Sequence, residues 1–143
     1  MIRLVVDASV VVKWYPPYDQ EPLASQAHAL MDRWVAGEVA FAVPDLIWPE
    51  VANILWKSVR RNRCSLDDAE AALAHMLEQN LSTIPSAPLI DQAFHIAVQY
   101  GRTAYDSLYV ALALASNSLL VTADEKLANT LGGHLPVKWL GAI

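Results

Sequence analysis

The stretch TAYDSLYVALALASNSLLVTADEKL, residues 103–127, decides the fold of this chain. Its first half predicts a buried helix, because the apolar residues between Leu108 and Leu114 point in all directions around a 3.6-residue turn. Its second half predicts an apolar strand over residues 119–122. Each element carries one carboxylate, Asp106 near the helix start and Asp124 just past the strand. Burial of an ionised acid costs several kcal/mol, so both need a helix N-terminus, a basic side chain or a cation beside them.

Strands and helices alternate along the rest of the chain. Further strands are predicted over residues 3–6, 39–43, 81–84 and 137–140. Helices are predicted after Asp7, from Pro22 to Gly37, from Pro49 through Arg61, after the capping-box residue Ser65, from Pro88 to Gly101, and over residues 125–131. This order predicts one α/β domain over residues 1–143, with an open parallel sheet covered by helices on both faces.

The composition narrows the class of protein. A hydrophobic content of 55% is ample for a full core, and the single cysteine, Cys64, has no partner for an internal disulfide. The N-terminal segment is unlike a signal peptide, and no apolar run reaches about 18 residues, so we expect a cytoplasmic protein without a membrane span. A net charge of -5 argues against nucleic-acid binding over the whole surface but leaves room for a local basic strip.

Four acids fall at one edge of the predicted sheet. Asp7 and Asp124 each follow a strand, and parallel sheets bind ligands at the carboxyl ends of their strands, where the strand order reverses. Glu50 and Asp106 lie near helix starts that can face the same edge. Carboxylates this close raise one another's pKa unless a cation lies among them. With no His or Cys nearby, the hard ions Mg²⁺ or Mn²⁺ suit the set, and they favour phosphate chemistry.

Structural roles stay open for the same residues. Thr103 with Asp106, and Thr122 with Glu125, have capping-box spacing, and Asp124 suits the cap of the last helix. Asp7 suits a turn at a strand end, and Glu50 suits a first helical turn. The only basic cluster is either a solvated helix end or, together with Lys13 and Arg102, a grip on RNA phosphates; it consists of Lys57, Arg60, Arg61 and Arg63. Three aromatic residues are candidates for base stacking or for core packing, namely Trp14, Tyr15 and Tyr105.

Four segments together carry a family resemblance that spans the chain. They are VVDASVVVKW (5–14), PEVANILW (49–56), TAYDSLYVALA (103–113) and LLVTADEKL (119–127), and they resemble the acidic motifs of PIN-domain nucleases, most closely the VapC-type toxins of toxin–antitoxin pairs. The resemblance implies a three-layer α/β/α fold with a central parallel sheet of about five strands, and a homodimer inhibited by a cognate antitoxin.

The same resemblance implies a Mg²⁺- or Mn²⁺-dependent endoribonuclease with an RNA substrate. Carried over by motif, the metal ligands and catalytic acids are Asp7, Glu50, Asp106 and Asp124, with Thr122 as a polar auxiliary and Ser9 as a weaker one. Some relatives place a further acid beyond the last aspartate. Here Glu125 and Asn129 stand in that region, which puts a second metal position in doubt.

Other classes of protein compete with this interpretation. A haloacid-dehalogenase-like phosphatase needs a second aspartate where Ser9 stands, and a phospho-accepting receiver domain needs an aspartate where the third strand is followed by Pro85 and Ser86. Two alternatives within the family remain. One is an RNA-processing nuclease without an antitoxin, and the other is a PIN-like module that binds RNA or a partner but cleaves little.

Overall fold

The computed structural model describes the whole chain, Met1–Ile143, and is built on one parallel sheet. Its strands are β1 (Ile2–Val6), β2 (Val39–Pro44), β3 (Ser82–Ile84), β4 (Leu119–Thr122) and β5 (Val137–Trp139). The strand order is β3-β2-β1-β4-β5, and every neighbouring pair is parallel. The direction of strand progression therefore reverses between β1 and β4, where the sequence placed the crevice.

Helices cover both faces of the sheet. They are α1 (Ala8–Val11), α2 (Ala24–Val35), α3 (Ile47–Arg60), α4 (Leu66–Glu78), α5 (Ile90–Tyr100), α6 (Ala104–Ala115) and α7 (Glu125–Leu131). Side chains of α1 to α4 form one hydrophobic core with one face of the sheet, and those of α5 to α7 form a second core with the other face. The three-layer α/β/α architecture predicted from the sequence is confirmed.

Strand β1 shows how alternation divides the two cores. Leu4 and Val6 enter the first core, whereas Val5 between them enters the second, as expected for side chains that alternate across a buried strand. Helix α6 lies in the second core with every residue from Ser107 to Ala113 buried. The helix has no single apolar stripe because it is buried on nearly all sides, as the sequence predicts.

Three helices begin at residues other than the predicted prolines. Helix α2 starts two residues after Pro22, α3 starts two residues before Pro49, and α5 follows a short 3₁₀ turn, Ala87–Leu89, that contains Pro88. The first turn of a helix leaves its N–H groups unbonded, so a proline is accepted at several positions there and marks the start only to within a turn.

The N-terminal aromatic residues belong to the core. Trp14 stacks against Trp34 at 6.1 Å between ring centroids and donates its indole N–H to the carbonyl oxygen of Ala27 at 2.9 Å. Tyr15 is also buried and hydrogen-bonds Nδ1 of His75 at 2.9 Å. Of the two roles left open for these residues, the structure selects core packing. No helix in the structure is both long and apolar enough to cross a bilayer.

Candidate active site

All four predicted acids line one cavity of about 160 Å³ beyond the carboxyl ends of β1 and β4. The lining residues are Asp7, Ala8, Ser9, Glu50, Ile54, Asp106, Tyr109, Asp124 and Leu127. The register explains the convergence, because Val6 pairs with Val121 and the two strands therefore end side by side. Helices α3 and α6 bring Glu50 and Asp106 to the same place from their first turns.

Asp7 is the most buried of the four acids, with 8% of its surface exposed. It follows β1 and caps α1, and its Oδ1 accepts the backbone N–H of Ser9 at 3.1 Å and the Ser9 hydroxyl. Its Oδ2 accepts the hydroxyl of Thr122 at 2.5 Å. Burial raises the pKa of Asp7 to about 6 in spite of these hydrogen bonds, because desolvation penalises the charged carboxylate.

Ser9 and Thr122 tie the ends of the two strands together. The Ser9 hydroxyl oxygen accepts the backbone N–H of Ala123 at 3.0 Å, and the Thr122 hydroxyl oxygen accepts the N–H of Asp124 at 3.1 Å. Each hydroxyl thus bonds Asp7 on one side and the chain that carries Asp124 on the other. Thr122 lies where the sequence predicted it, and Ser9 makes contacts as extensive as those of Thr122.

Glu50 has a partner that the sequence did not predict. The buried hydroxyl of Tyr109 donates a short hydrogen bond to Oε1 of Glu50. Burial raises the pKa of Glu50, the bond from Tyr109 opposes that rise, and the charges of Asp7 and Asp106 add to it. Tyr109 stands three residues after Asp106 and so shares its helix face, a spacing that identifies it in retrospect. Its own pKa is raised, first by burial and then by Glu50.

Asp106 and Asp124 share one basic partner. A terminal nitrogen of Arg102 lies 3.1 Å from Oδ2 of Asp106 and 3.5 Å from Oδ2 of Asp124. The sequence offered Arg102 as a grip on phosphate, whereas the structure turns it onto these acids, with its buried Nε left without a hydrogen-bond partner. The arginine supplies the balancing charge that two nearby carboxylates require.

Two of the helix caps predicted from the sequence, Thr103 and Asp124, are present in the structure, and the third, Thr122, is not. Thr103 caps α6 by accepting the N–H of Asp106 at 3.0 Å, as its spacing predicts. Thr122, however, ends β4, and Asp124 caps α7 through a bond from the N–H of Leu127 to its Oδ1 at 3.0 Å. Asp124 therefore caps a helix with one oxygen and presents the other to Arg102. Glu125 is exposed and lies outside the cavity lining.

The donor set of the cavity suits a hard divalent cation. It offers only oxygen ligands, and two of its carboxylates, those of Asp7 and Glu50, have no basic side chain bonded to them. No three acidic, His or Cys side chains are arranged around one point as a ready cage. Mg²⁺ needs no such cage, since it keeps several waters and takes one or two carboxylates directly.

The other residues offered by the sequence do not line the acidic cavity. Lys13 pairs with Glu21 at 3.3 Å rather than reaching towards the acids. Tyr105 is 63% exposed and lines a shallow depression that shares Glu50 with the acidic cavity, so it is the one candidate aromatic residue with a free face. Three residues of the basic cluster at the end of α3 line a cavity of their own, namely Lys57, Arg61 and Arg63.

This chain is similar in sequence and in fold to known proteins. The PIN domain matches residues 4–131. A protein from Pyrobaculum aerophilum named Ribonuclease VapC3 is 35% identical over 129 residues, which span 89% of this chain and 93% of that protein. The crystal structure of PAE2754 from Pyrobaculum aerophilum matches with a TM-score of 0.71 at 28% identity, covering 99% of this chain and 85% of that one.

A more distant structure shares the fold. A chain of a toxin-antitoxin complex from Klebsiella pneumoniae has a TM-score of 0.61 at 15% identity and covers 94% of this chain and 95% of its own length. The structural similarity therefore extends over nearly the whole chain and concerns the fold.

Proposed function

The chain belongs to the PIN domain family, and from that premise we propose that it is a divalent-metal-dependent endoribonuclease that acts as the toxin of a toxin–antitoxin pair. The observation that carries the proposal is the convergence of Asp7, Glu50, Asp106 and Asp124 on one cavity at the point where strand order reverses. RNA as the substrate is supported by a relative, 35% identical over most of both chains, that is named a ribonuclease.

We assign the four acids as the residues that hold Mg²⁺ or Mn²⁺. In Asp7, Oδ1 already accepts two bonds from Ser9 whereas Oδ2 accepts only the bond from Thr122, so Oδ2 keeps a lone pair for a cation. Glu50 similarly keeps Oε2, since Tyr109 occupies Oε1. When bound, such an ion supplies Lewis acidity towards a phosphoryl oxygen and lowers the pKa of an attacking water.

The protein's own contribution is orientation. Ser9 and Thr122 fix the carboxylate of Asp7, and Tyr109 fixes that of Glu50, so three hydroxyl groups hold two ligands without supplying charge. Carboxylates held this way need little reorganisation when a phosphodiester binds, which is the condition for efficient electrostatic stabilisation. A carboxylate of the set that the ion leaves uncoordinated would accept the proton of the water that attacks phosphorus in line. The P–O bond opposite the water would break as the new bond forms, and the leaving oxygen would take a proton from solvent.

A second copy of the chain and an antitoxin complete the proposed assembly. Ile90, Phe94 and Val98 recur at four-residue intervals along α5, and they are 48%, 58% and 69% exposed. An apolar stripe of this kind is typical of an interface between chains, and we assign it to a homodimer. The antitoxin partner is supported by the resemblance to VapC-type toxins. We assign the protein to the cytoplasm because the proposed substrate is RNA.

Cleavage of RNA by the purified chain tests the proposal. A mixed pool of structured and single-stranded RNAs is incubated with Mg²⁺, with Mn²⁺ or with chelator, beside the Asp106→Asn and Asp32→Asn variants. Asp32 is an exposed acid of α2 outside every ion pair and serves as the matched control. We expect cutting that needs metal, disappears in Asp106→Asn and survives in Asp32→Asn. Binding of RNA without cutting would instead favour a non-cleaving PIN-like module.

A further inference from the structure

The basic residues of this acidic chain are concentrated at the end of helix α3. Four of its ten lysines and arginines fall within residues 57–63, and no acid occurs between Glu50 and Asp67. The helix dipole explains why cations suit this end of a helix. It does not explain why three of them surround a single cavity of about 170 Å³, which is lined by Tyr18, Ile54, Lys57, Ser58, Arg61 and Arg63.

The turn that ends α3 builds this cavity. Asn62 has a left-handed backbone with φ of 55°, a conformation that asparagine tolerates better than most residues. The turn brings Arg63 back over the helix, where its backbone N–H reaches the carbonyl oxygen of Ser58 at 2.9 Å. The guanidinium of Arg63 then lies 5.7 Å from the centroid of the Tyr18 ring, and both residues line the cavity together with Lys57 and Arg61.

The positive charge in this basic cavity is mostly uncompensated. Arg63 pairs with Glu21 at 3.3 Å, but neither Lys57 nor Arg61 takes part in any ion pair of the structure. No carboxylate lines the cavity. Ammonium and guanidinium groups that have no acidic partner, as in Lys57 and Arg61, are the usual donors to phosphate.

The basic cavity adjoins the acidic one. Ile54 of α3 lines both, so the two cavities are neighbours that share part of a wall. Glu50 is seven residues before Lys57 and eleven before Arg61, which at 1.5 Å per residue places the two ends about 10 to 16 Å apart along the helix axis. Helix α3 and the turn after it thus present a carboxylate to the proposed cleavage centre and cations to the neighbouring cavity.

We propose that the cavity formed by Lys57, Arg61 and Arg63 is a binding site for a backbone phosphate of the RNA strand, beside the bond that is cut. The inference rests on the proposed function for its substrate. The cavity holds the strand by charge and fork-shaped hydrogen bonds rather than by reading bases, so it favours RNA binding without selecting sequence. Such a site also explains how a chain with a net charge of -5 and an acidic cavity binds RNA, which is itself negatively charged.

Arg60 provides a matched control inside the same cluster. Its guanidinium lies over the exposed ring of Trp56 at 5.4 Å from the centroid, and it does not line the basic cavity. Arg60→Gln and Arg61→Gln therefore remove the same charge from adjacent positions, and only Arg61→Gln removes it from the cavity. If RNA is held only by general electrostatic attraction, the two variants should lose equal RNA affinity. If the cavity is a specific site, Arg61→Gln should lose more RNA affinity than Arg60→Gln.

The experiment is an anisotropy titration of a short, labelled, single-stranded RNA of mixed sequence with the full chain in chelator. Affinities are measured between about 50 and 200 mM salt, and a gel at the end verifies that the RNA is intact. We expect Lys57→Gln and Arg61→Gln each to weaken binding at least about threefold and to reduce the salt slope by about 0.7, the value for one phosphate contact on a single strand. Arg60→Gln should change neither quantity appreciably.

Three results would overturn the site. They are equal losses from Arg60→Gln and Arg61→Gln, unchanged binding in a Lys57→Gln/Arg61→Gln double variant with an unchanged melting temperature, and no measurable RNA binding by the parent chain. These outcomes are independent of cleavage, because the titration contains no metal. If the titration finds no role for Lys57 and Arg61 while the parent chain cleaves RNA with metal, only this inference is rejected. If the titration confirms the site while the parent chain does not cleave RNA with metal, only the proposed function is rejected.

Discussion

Asp7→Asn should stabilise the metal-free protein, although it removes a proposed metal ligand. The carboxylate is buried, and its pKa rises from 3.8 to about 6 chiefly through desolvation. At pH 7, where Asp7 is ionised in the unfolded chain, this rise in pKa lowers the free energy of unfolding by about 3 kcal/mol. Asparagine keeps an oxygen for the N–H of Ser9 and turns an amide group towards Thr122, whose hydroxyl must reorient to accept it. We therefore expect a net gain of about 1–3 kcal/mol.

The gain should depend on pH with a definite sign. Between pH 3.8 and about 6 the folded protein binds more protons at Asp7 than the unfolded chain does. The free energy of unfolding of the parent protein therefore falls as the pH rises through this window, while the asparagine variant lacks this contribution. The difference between the two proteins should be near zero at about pH 4 and complete at about pH 7.

Urea denaturation in chelator at several pH values measures this difference. At pH 7 the melting temperature should also rise, by about 2–4 °C for each kcal/mol in a chain of this size. Asp32→Asn, at an exposed position on α2, is the control and should show neither effect. An Asp7→Asn protein no more stable than its parent at pH 7, or a gain of equal size at pH 4 and pH 7, would refute the desolvation argument.

Three further substitutions test the contacts around the cavity. Tyr109→Phe should raise the pKa of Glu50, because the hydroxyl that opposes the rise is removed; an unchanged carboxyl titration by NMR in metal-free protein would contradict this. Arg102→Gln should tighten Mn²⁺ binding measured by calorimetry, because it deletes the cation bonded to Asp106 and Asp124, and equal or weaker binding would count against that role. Trp14→Ala should lower the free energy of unfolding by about 3–5 kcal/mol, because it empties a core position; a urea-derived loss below about 1 kcal/mol would place Trp14 outside the core.

The sheet and its acidic edge were predictable from the sequence because they depend on local signals. Apolar runs bounded by turn residues predict the five strands. Asp7 and Asp124 each follow one of these runs directly, which predicts their location at the carboxyl ends of strands. Parallel pairing then brings strand ends together without further information. The first residue of each helix was harder to predict from the sequence, because a proline such as Pro49 is accepted inside the first helical turn as well as at its beginning.

Contacts between distant residues were not predictable in the same way. Arg102 precedes helix α6 and reaches both Asp106 and Asp124, a choice that depends on the distance between two helices. The aromatic residues Trp14 and Tyr15 pack inward because α2 and α4 cover them, which no periodicity within residues 10–15 reveals. The basic cavity depends on the left-handed turn at Asn62, so the cluster of cations was visible in the sequence but its concave shape was not.

A Mn²⁺ titration by calorimetry tests the central claim that the four acids form one metal centre. The parent chain is compared with Asp106→Asn, Asp124→Asn and the control Asp32→Asn under identical conditions. The arrangement of the cavity predicts binding by the parent and by Asp32→Asn, and at least about a tenfold loss of affinity in each of the two cavity variants. Affinity that survives unchanged in both cavity variants, or an absence of binding by the parent chain, would contradict the assignment of this cavity as the catalytic centre.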